Sequence, residues 1–236
     1  FIEITEKGAF LYKEKFPGLS GLPVGVSGKV ISLISGGIDS PVASFKIMKR
    51  GCEVIFVHFH NLTTDKAVVK DKVKRLVEIL SKYQPKTKLY LIPFGDLQKE
   101  IVKTVNAKVR MIVYRRAMLK IAEEILKKEK ALAFVTGDSI AQVASQTLEN
   151  IHVVRAVAKF PVLSPLIGMD KEEIIEIAKE IGTYETSILP YSDCCSMFIA
   201  EHPETRAKLE NIEKEEKFDS KKLIKEAVDK AEIVEF

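Results

Sequence analysis

The sequence has no tryptophan and only three cysteines, two of them adjacent. Three cysteines cannot build the disulfide framework that staples small secreted domains, so stability must come from a packed core, and a reducing, cytoplasmic compartment is expected. No apolar run approaches the ~20 residues a membrane-spanning helix needs, and no signal peptide is visible, so no membrane association is expected. Neither sign of charge dominates. Lys plus Arg number 37 against 33 Asp plus Glu, and the net +4 permits a nucleic-acid partner without requiring one. Internal repeats and low-complexity tracts are also missing. What remains is a chain of 236 residues, 46% hydrophobic and 30% charged, enough for one large or two small soluble domains. It begins with Phe1 and not Met, and part of the gene product is expected to lie upstream.

The stretch that organises the chain is 30–45. An apolar run, Val30 to Ile34, reads as a buried strand, followed by the small-residue loop Ser35-Gly36-Gly37-Ile38-Asp39-Ser40 and then Pro41. Ser40 as N-cap with proline at the first helical position predicts a helix over 41–50. A strand–tight loop–helix unit of this kind aims backbone N–H groups and the positive end of a helix dipole at one point, which suits a phosphate, and glycines let an anion approach closely. The Gly-Lys-Ser/Thr of a Walker A loop is missing, so the loop is not built to grip a γ-phosphate for kinase or motor chemistry.

Around it the pattern alternates. Strands are expected at 53–59, 87–92 and 131–135, with helices at 66–82, over 95–129 with a break near Asn106, and at 139–149. A short strand is expected at 151–154. Such alternation means βαβ units, a parallel twisted sheet and helices on both faces, with the loops at 35–40, 58–65 and 136–139 meeting along one edge. Asp170 as N-cap with Glu173 three residues on, and Gly182 at the end, predict a helix over 170–181. Residues 183–203 have no clear periodicity. Residues 204–231 are highly charged, with apolar residues at helical spacing, and read as surface helices without chemistry. Residues 1–16 read as two short strands around Glu6-Lys7-Gly8. Residues 17–28, with four Gly and two Pro, read as a linker.

Thr136-Gly137-Asp138-Ser139 ends an apolar strand, and Gln142, Ser145 and Gln146 would stripe the helix after it with polar groups, a placement that favours a nucleotide-facing role on the same sheet edge. His58 and His60 flank Phe59 and share a face by alternation. No further ligand is near in sequence, so contact with an adenine is favoured over a metal pair. Adjacent arginines point in different directions on a helix, so one of Arg115 and Arg116 can be a surface charge while the other reaches a phosphate. Cys194 and Cys195 lie in an irregular loop. A bridge between neighbours is strained and metal ligation lacks partners, which leaves either a reactive thiolate or two small buried hydrophobes. Cys52, at a strand start, reads as core.

Several motifs then stand in one order: Ser-Gly-Gly-Ile-Asp-Ser-Pro-Val-Ala, Val-His-Phe-His, Thr-Gly-Asp-Ser-Ile-Ala-Gln-Val-Ala-Ser-Gln-Thr, Pro-Leu-Ile-Gly-Met-Asp-Lys-Glu-Glu-Ile and Leu-Pro-Tyr-Ser-Asp-Cys-Cys. The loop resembles the PP-loop of ATP pyrophosphatases, and the whole series, over about 17–203, resembles the ThiI family of tRNA 4-thiouridine synthases. The resemblance implies a PP-loop domain over 29–203, charged C-terminal helices over 204–236, and a 1–16 hairpin that is the end of a THUMP-type RNA-binding region. It implies ATP with Mg²⁺, a tRNA substrate and a sulfur donor, either a cysteine desulfurase persulfide or sulfide; a homodimer is compatible with it, and some members serve thiamine biosynthesis. Residue by residue, it places Leu33, Ile34, His58, Phe59, Arg116, Gly137 and Gln146 on ATP, and Ser35, Gly36, Gly37, Asp39 and Ser40 in the pyrophosphate loop. Asp39 and Lys171 go to activation of the uridine and Cys194 to persulfide chemistry, with Cys195 one residue away; no residue is assigned to a metal. The sequence departs from many bacterial members in showing no rhodanese-like segment, and from some archaeal ones in having Met111-Ile-Val-Tyr114 where those carry Cys-x-x-Cys. The competing readings are an amide-forming PP-loop synthetase, which has no use for Cys194, and a non-catalytic tRNA-binding module.

Overall fold

The computed structural model describes residues 1–61, 66–190, 198 and 200–236, with the side chains of 66–70 and 220 left aside. Strands β1 (Ile2–Thr5) and β2 (Gly8–Leu11) pair antiparallel, Ile2 opposite Leu11 and Thr5 opposite Gly8, and every residue of both strands is exposed. The β-branched and aromatic runs then become the parallel strands β3 (Lys29–Leu33), β4 (Glu53–His60), β5 (Lys88–Pro93), β6 (Ala133–Val135) and β7 (Val162–Leu163), joined by an antiparallel β8 (Glu232–Glu235). Among the described residues the order is β7-β6-β3-β4-β5-β8. The chain leaves β3 toward β4 on one side and returns to β6 on the other, so the C-terminal ends of β3 and β6 flank a topological switch point, where open α/β sheets bind ligands.

Both faces are covered, because side chains alternate along each strand. Ile31, Ile55, Val57, Tyr90 and Phe134 pack under α3 (Gly95–Thr104), α4 (Arg110–Glu129) and α5 (Leu148–Arg155). Val30, Val54, Phe56, Leu89 and Val135 pack under α1 (Asp39–Met48), α2 (Lys66–Ser81) and α6 (Lys171–Glu180). The break near Asn106 is present between α3 and α4, where the Asn106 side chain accepts from the Lys108 N–H at 3.0 Å. The start of α6 carries the expected capping box between Asp170 and Glu173, and Gly182 has φ of 76°, the left-handed conformation that ends a helix. Cys52 is half-buried, with its thiol pushed up by burial.

Three expectations are corrected. The helix expected at 139–149 does not form, and the strand expected at 151–154 is the interior of α5. Thr147 caps α5 by accepting from the Asn150 N–H at 3.2 Å, so the helix begins where it was expected to end. The run Ile151-His-Val-Val154 looked strand-like because it is β-branched, but Ile151, Val153 and Val154 bury one helix face. Ser40 is not the N-cap. The helix starts at Asp39, and the Ser40 hydroxyl turns back to accept from the Ser35 N–H at 2.9 Å. Pro41 is tolerated because first-turn N–H groups have no partner within the helix.

The charged C-terminal region is more firmly docked than its composition implies. Beyond α7 (Tyr184–Ser187), helices α8 (Leu209–Glu215) and α9 (Ser220–Asp229) bury Ile212 and Ala227 against the core. Glu216, just past α8, receives Arg116 Nε at 2.6 Å and Lys120 Nζ at 2.6 Å. Burial alone would push Glu216 up, but the hydrogen bonds from Arg116 and Lys120 outweigh it and hold its carboxyl below the ordinary 4.5. A depressed folded-state value contributes stability that is present above the unfolded value and lost as pH falls through the folded one. Denaturant melts between pH 7 and pH 3 are therefore expected to show a smaller acid-induced loss for Glu216→Gln than for the unsubstituted protein. An identical loss would remove Glu216 from the acid response.

Candidate functional site: a cavity at the sheet edge

A cavity of about 320 Å³ opens over the ends of β3 and β6, a size suited to a small molecule. One end is apolar, built by Leu33, Phe59, Met118, Leu119, Val154 and Val162. The other is polar and comes from the two loops the strands feed, with Ser35, Asp39 and Ser40 on one side and Thr136, Gly137 and Asp138 on the other. The first loop is closed by its own hydroxyls. Besides the Ser35 N–H bond, the Ser35 and Ser40 hydroxyls lie 3.1 Å apart, and Gly37 N–H donates to Ser35 Oγ at 3.3 Å. Gly137 has to be glycine. A Cβ there would sit 2.9 Å from Ser40 N and 3.0 Å from Asp39 C, against the first turn of α1. Gly137→Ala must therefore push the two loops apart. It is expected to destabilise by about 1–3 kcal/mol and to weaken ATP binding about tenfold or more, read by thermal melting and calorimetric titration. Unchanged values in both would mean that the loops do not act as a unit.

Asp39 is the centre of the polar end. Lys171 Nζ lies 2.5 Å from one of its carboxylate oxygens and Gln142 Nε2 donates to the other at 2.9 Å. Lys171 is 132 residues away in sequence. The structure thus brings together the two residues that the resemblance pairs in activation chemistry. Asp138, buried deeper, accepts from Thr136 Oγ1 at 2.8 Å and is ion-paired to Arg115 at 2.5 Å, with Arg155 at 3.8 Å. Arg155 also donates to the Ser164 hydroxyl. Two guanidinium groups therefore stand at the cavity, both beside the one carboxylate of Asp138, which a polyanion could displace.

Leu33, Ile34, Ser35, Asp39, Ser40, Phe59, Gly137 and Gln146 all line the cavity. Gly36 and Gly37 belong to the loop without lining it. His58 is buried behind the wall, its Nδ1 2.9 Å from the Ile34 carbonyl oxygen. Arg116 is corrected. It is turned into the core toward Glu216 and the Val153 carbonyl oxygen, and its neighbour Arg115 lines the cavity. The 100° step between neighbours on a helix sends them to opposite environments. Arg155 and Met111 were not singled out as cavity residues from sequence. Arg155 carries no local signal, because the strand expected at 151–154 hid the helix that presents it. Cys194 and Cys195 lie outside the described residues. Among the described residues, no group of three His, Cys, Asp or Glu side chains could hold a metal ion. No helix among them is long and apolar enough to cross a membrane.

A mostly parallel sheet, with only β8 antiparallel among the described strands, covered on both faces and carrying a Ser-Gly-Gly-x-Asp-Ser loop at its switch point, defines a PP-loop nucleotide-binding fold. The chain belongs to the ThiI family, whose model, described as "Thiamine biosynthesis protein (ThiI)", matches residues 25–220. It is 47% identical over 236 residues to a protein of Thermus thermophilus named "Probable tRNA sulfurtransferase", covering all of this chain and 58% of that one. A protein of the same name from Caldanaerobacter subterraneus is 50% identical over 226 residues, covering 94% and 59%. The chain thus spans somewhat over half the length of these relatives. Among solved structures, a 4-thiouridine synthetase in complex with RNA and ATP superposes with a TM-score of 0.94 at 39% identity, covering all of this chain and 62% of that one. An NMN synthetase of Francisella tularensis shares the fold alone, with a TM-score of 0.54 at 13% identity over 86% and 84% of the two chains.

Proposed function

We propose that this chain carries the catalytic domain of an enzyme that uses ATP to put sulfur on a tRNA uridine, giving 4-thiouridine. The observation that carries the proposal is the Asp39–Lys171 contact at the polar end of the cavity, where Asp39 stands in the Ser35–Ser40 loop. The names of the relatives, and the ATP and RNA bound by the solved synthetase, support it. The apolar end takes the adenine, with Phe59 and Leu33 against the base. The loop amides and Arg115 take the phosphates. A uracil O4 is a poor leaving group, so it has to be activated. Attack of O4 on the α-phosphorus forms an O–P bond, breaks the bond to the bridging oxygen, releases pyrophosphate and frees the N3 proton. Asp39 is the base in place for that proton. The loop amides and Lys171 stabilise the charge that develops on the phosphate oxygens. Hydrosulfide then adds at C4, and AMP leaves with the former O4; where the sulfur arrives as a persulfide on Cys194, a second thiol supplies the two electrons that break its S–S bond and release hydrosulfide, forming a disulfide with Cys194.

Mg²⁺ fits this site as a companion of the nucleotide. The described residues offer no all-protein cage, and Mg²⁺ at phosphates needs only one or two carboxylates, which Asp39 and Asp138 supply at the cavity. When bound, it would offset charge on the pyrophosphate. The exposed hairpin of β1 and β2 fits the closing strands of a THUMP-type region, with 17–28 as its linker.

The test uses the full-length gene product, unmodified tRNA transcript, Mg-ATP and sulfide, with AMP and 4-thiouridine measured together. Matching amounts of both are expected. AMP formed only with a small carboxylic acid and ammonia would indicate the amide-forming reading. Retention of ATP and tRNA with no AMP would indicate a binding module.

A further inference from the structure

A second depression, of about 400 Å³, lies beside the nucleotide cavity without sharing a lining residue with it. The two are joined through Asp39. Its carboxylate borders the nucleotide cavity, while both of its partners, Gln142 and Lys171, line the second depression. The other walls are 139–141 and 167–170, two segments fastened to each other. Ile140 N–H donates to the Ile167 carbonyl oxygen at 3.1 Å, and Ser139 Oγ donates to the Met169 carbonyl oxygen at 2.9 Å. Ala141 is held at φ of 61°, a left-handed conformation that a residue with a Cβ adopts at a cost, and its N–H is tied to the Gln146 carbonyl oxygen at 3.0 Å. This segment was expected to be helical. It is instead a strained turn, pinned at both ends, which presents Gln142 to Asp39.

We propose that this depression is the subsite for the target base, a uracil turned out of its RNA. The inference rests on the function proposed above and adds where the substrate's reacting edge sits and what reads it. The chemistry of the wall selects the base. Gln142 gives one amide hydrogen to Asp39, and its carbonyl oxygen holds the N3 imide hydrogen of uracil beside the carboxylate that takes that proton as O4 attacks. Lys171 has three ammonium hydrogens; one engages Asp39 and another reaches O4. Ile140, 45% exposed, supplies an apolar surface for the ring face. O4 then sits beside the Asp39 carboxylate, on the border with the phosphate end of the nucleotide cavity. Cytosine presents the reverse pattern on this edge. Its amino group would meet an ammonium and its bare N3 a carbonyl oxygen, so it is rejected by unpaired polar groups. A base in a duplex cannot reach such a depression without leaving its stack, as enzymes that act on bases require.

Gly168 makes the test clean. It lines the depression, a Cβ there would meet no atom within 4 Å, and its backbone is outside the left-handed region. Gly168→Ala adds a Cβ into open space, and Gly168→Leu extends from the same position to fill more of the depression. In the full-length protein, Gly168→Leu is expected to melt like the unsubstituted protein and bind ATP equally well. It is expected to lose about 100-fold in kcat/KM for tRNA thiolation, with Gly168→Ala losing less. The second measurement does not depend on turnover. A tRNA carrying 4-thiouridine at the target position is irradiated in the complex, and the adduct peptide is identified; it is expected to include 139–142 or 167–171. Thiolation by Gly168→Leu at the unsubstituted rate, or adducts confined to other peptides, overturns the subsite. An unsubstituted protein that makes neither AMP nor 4-thiouridine overturns the function instead, and the adduct peptide then decides the subsite alone.

Discussion

Asp39→Asn is expected to cut AMP release and tRNA thiolation together by at least about 10²-fold while leaving the melting temperature nearly unchanged. Asparagine has the shape of aspartate and can still meet Gln142, but it has no charge to order Lys171 and accepts no proton. The stability cost is small because Lys171 is 42% exposed, and ion pairs at that exposure contribute about 1 kcal/mol or less. An activity loss without a stability loss is the signature of a group that acts on the reacting atoms. Asp39→Asn turning over at the unsubstituted rate would remove Asp39 from the chemistry and with it the observation that carries the proposed function.

The adjacent arginines give the second large effect, and it divides between two measurements. Arg116 is 2% exposed and serves Glu216 and the Val153 carbonyl oxygen, so Arg116→Ala leaves a buried carboxylate with only Lys120. The expected cost is about 3–5 kcal/mol of unfolding free energy, measured by denaturant titration. ATP affinity per folded molecule is expected to hold. Arg115→Ala acts on both measurements. Asp138, 4% exposed, keeps Thr136 and has Arg155 only at 3.8 Å, so stability falls by about 1–3 kcal/mol, while ATP affinity per folded molecule drops about 10- to 100-fold with the loss of a charge-assisted contact. If Arg116→Ala weakened ATP binding and Arg115→Ala did not, the orientation of α4 relative to the cavity would be wrong.

Those two residues also show what could be read from sequence and what could not. The strand–loop–helix unit over 30–45 was legible because strand, small-residue loop and helix follow one another within sixteen residues, and because local rules govern each. The capping box at Asp170 and the break near Asn106 were legible for the same reason. The pairing of Arg116 with Glu216 was not, because it spans 100 residues and depends on where a charged C-terminal helix lands. Residues 139–155 were misread at both ends. Their outcome is decided by tertiary bonds from Ile167 and Met169 to the backbone and hydroxyl of 139–140, which override local propensity. Asp39 could be named from its motif. That its partners would be Gln142 and Lys171, and that those partners would border a second depression, required the fold.

Strand β8 has a consequence for how the chain comes to be folded. It covers the outer edge of β5, setting Tyr90 opposite Ile233 and Leu89 opposite Val234, so β5 is completed by residues more than 140 positions further along the chain. During synthesis β5 therefore waits with a row of unsatisfied amide and carbonyl groups and an apolar face while the intervening chain emerges at ~5–20 residues per second. For that interval, of order ten seconds, the half-made sheet is the species most able to pair with another nascent chain, and clipping the chain after Lys230 would make that vulnerability permanent.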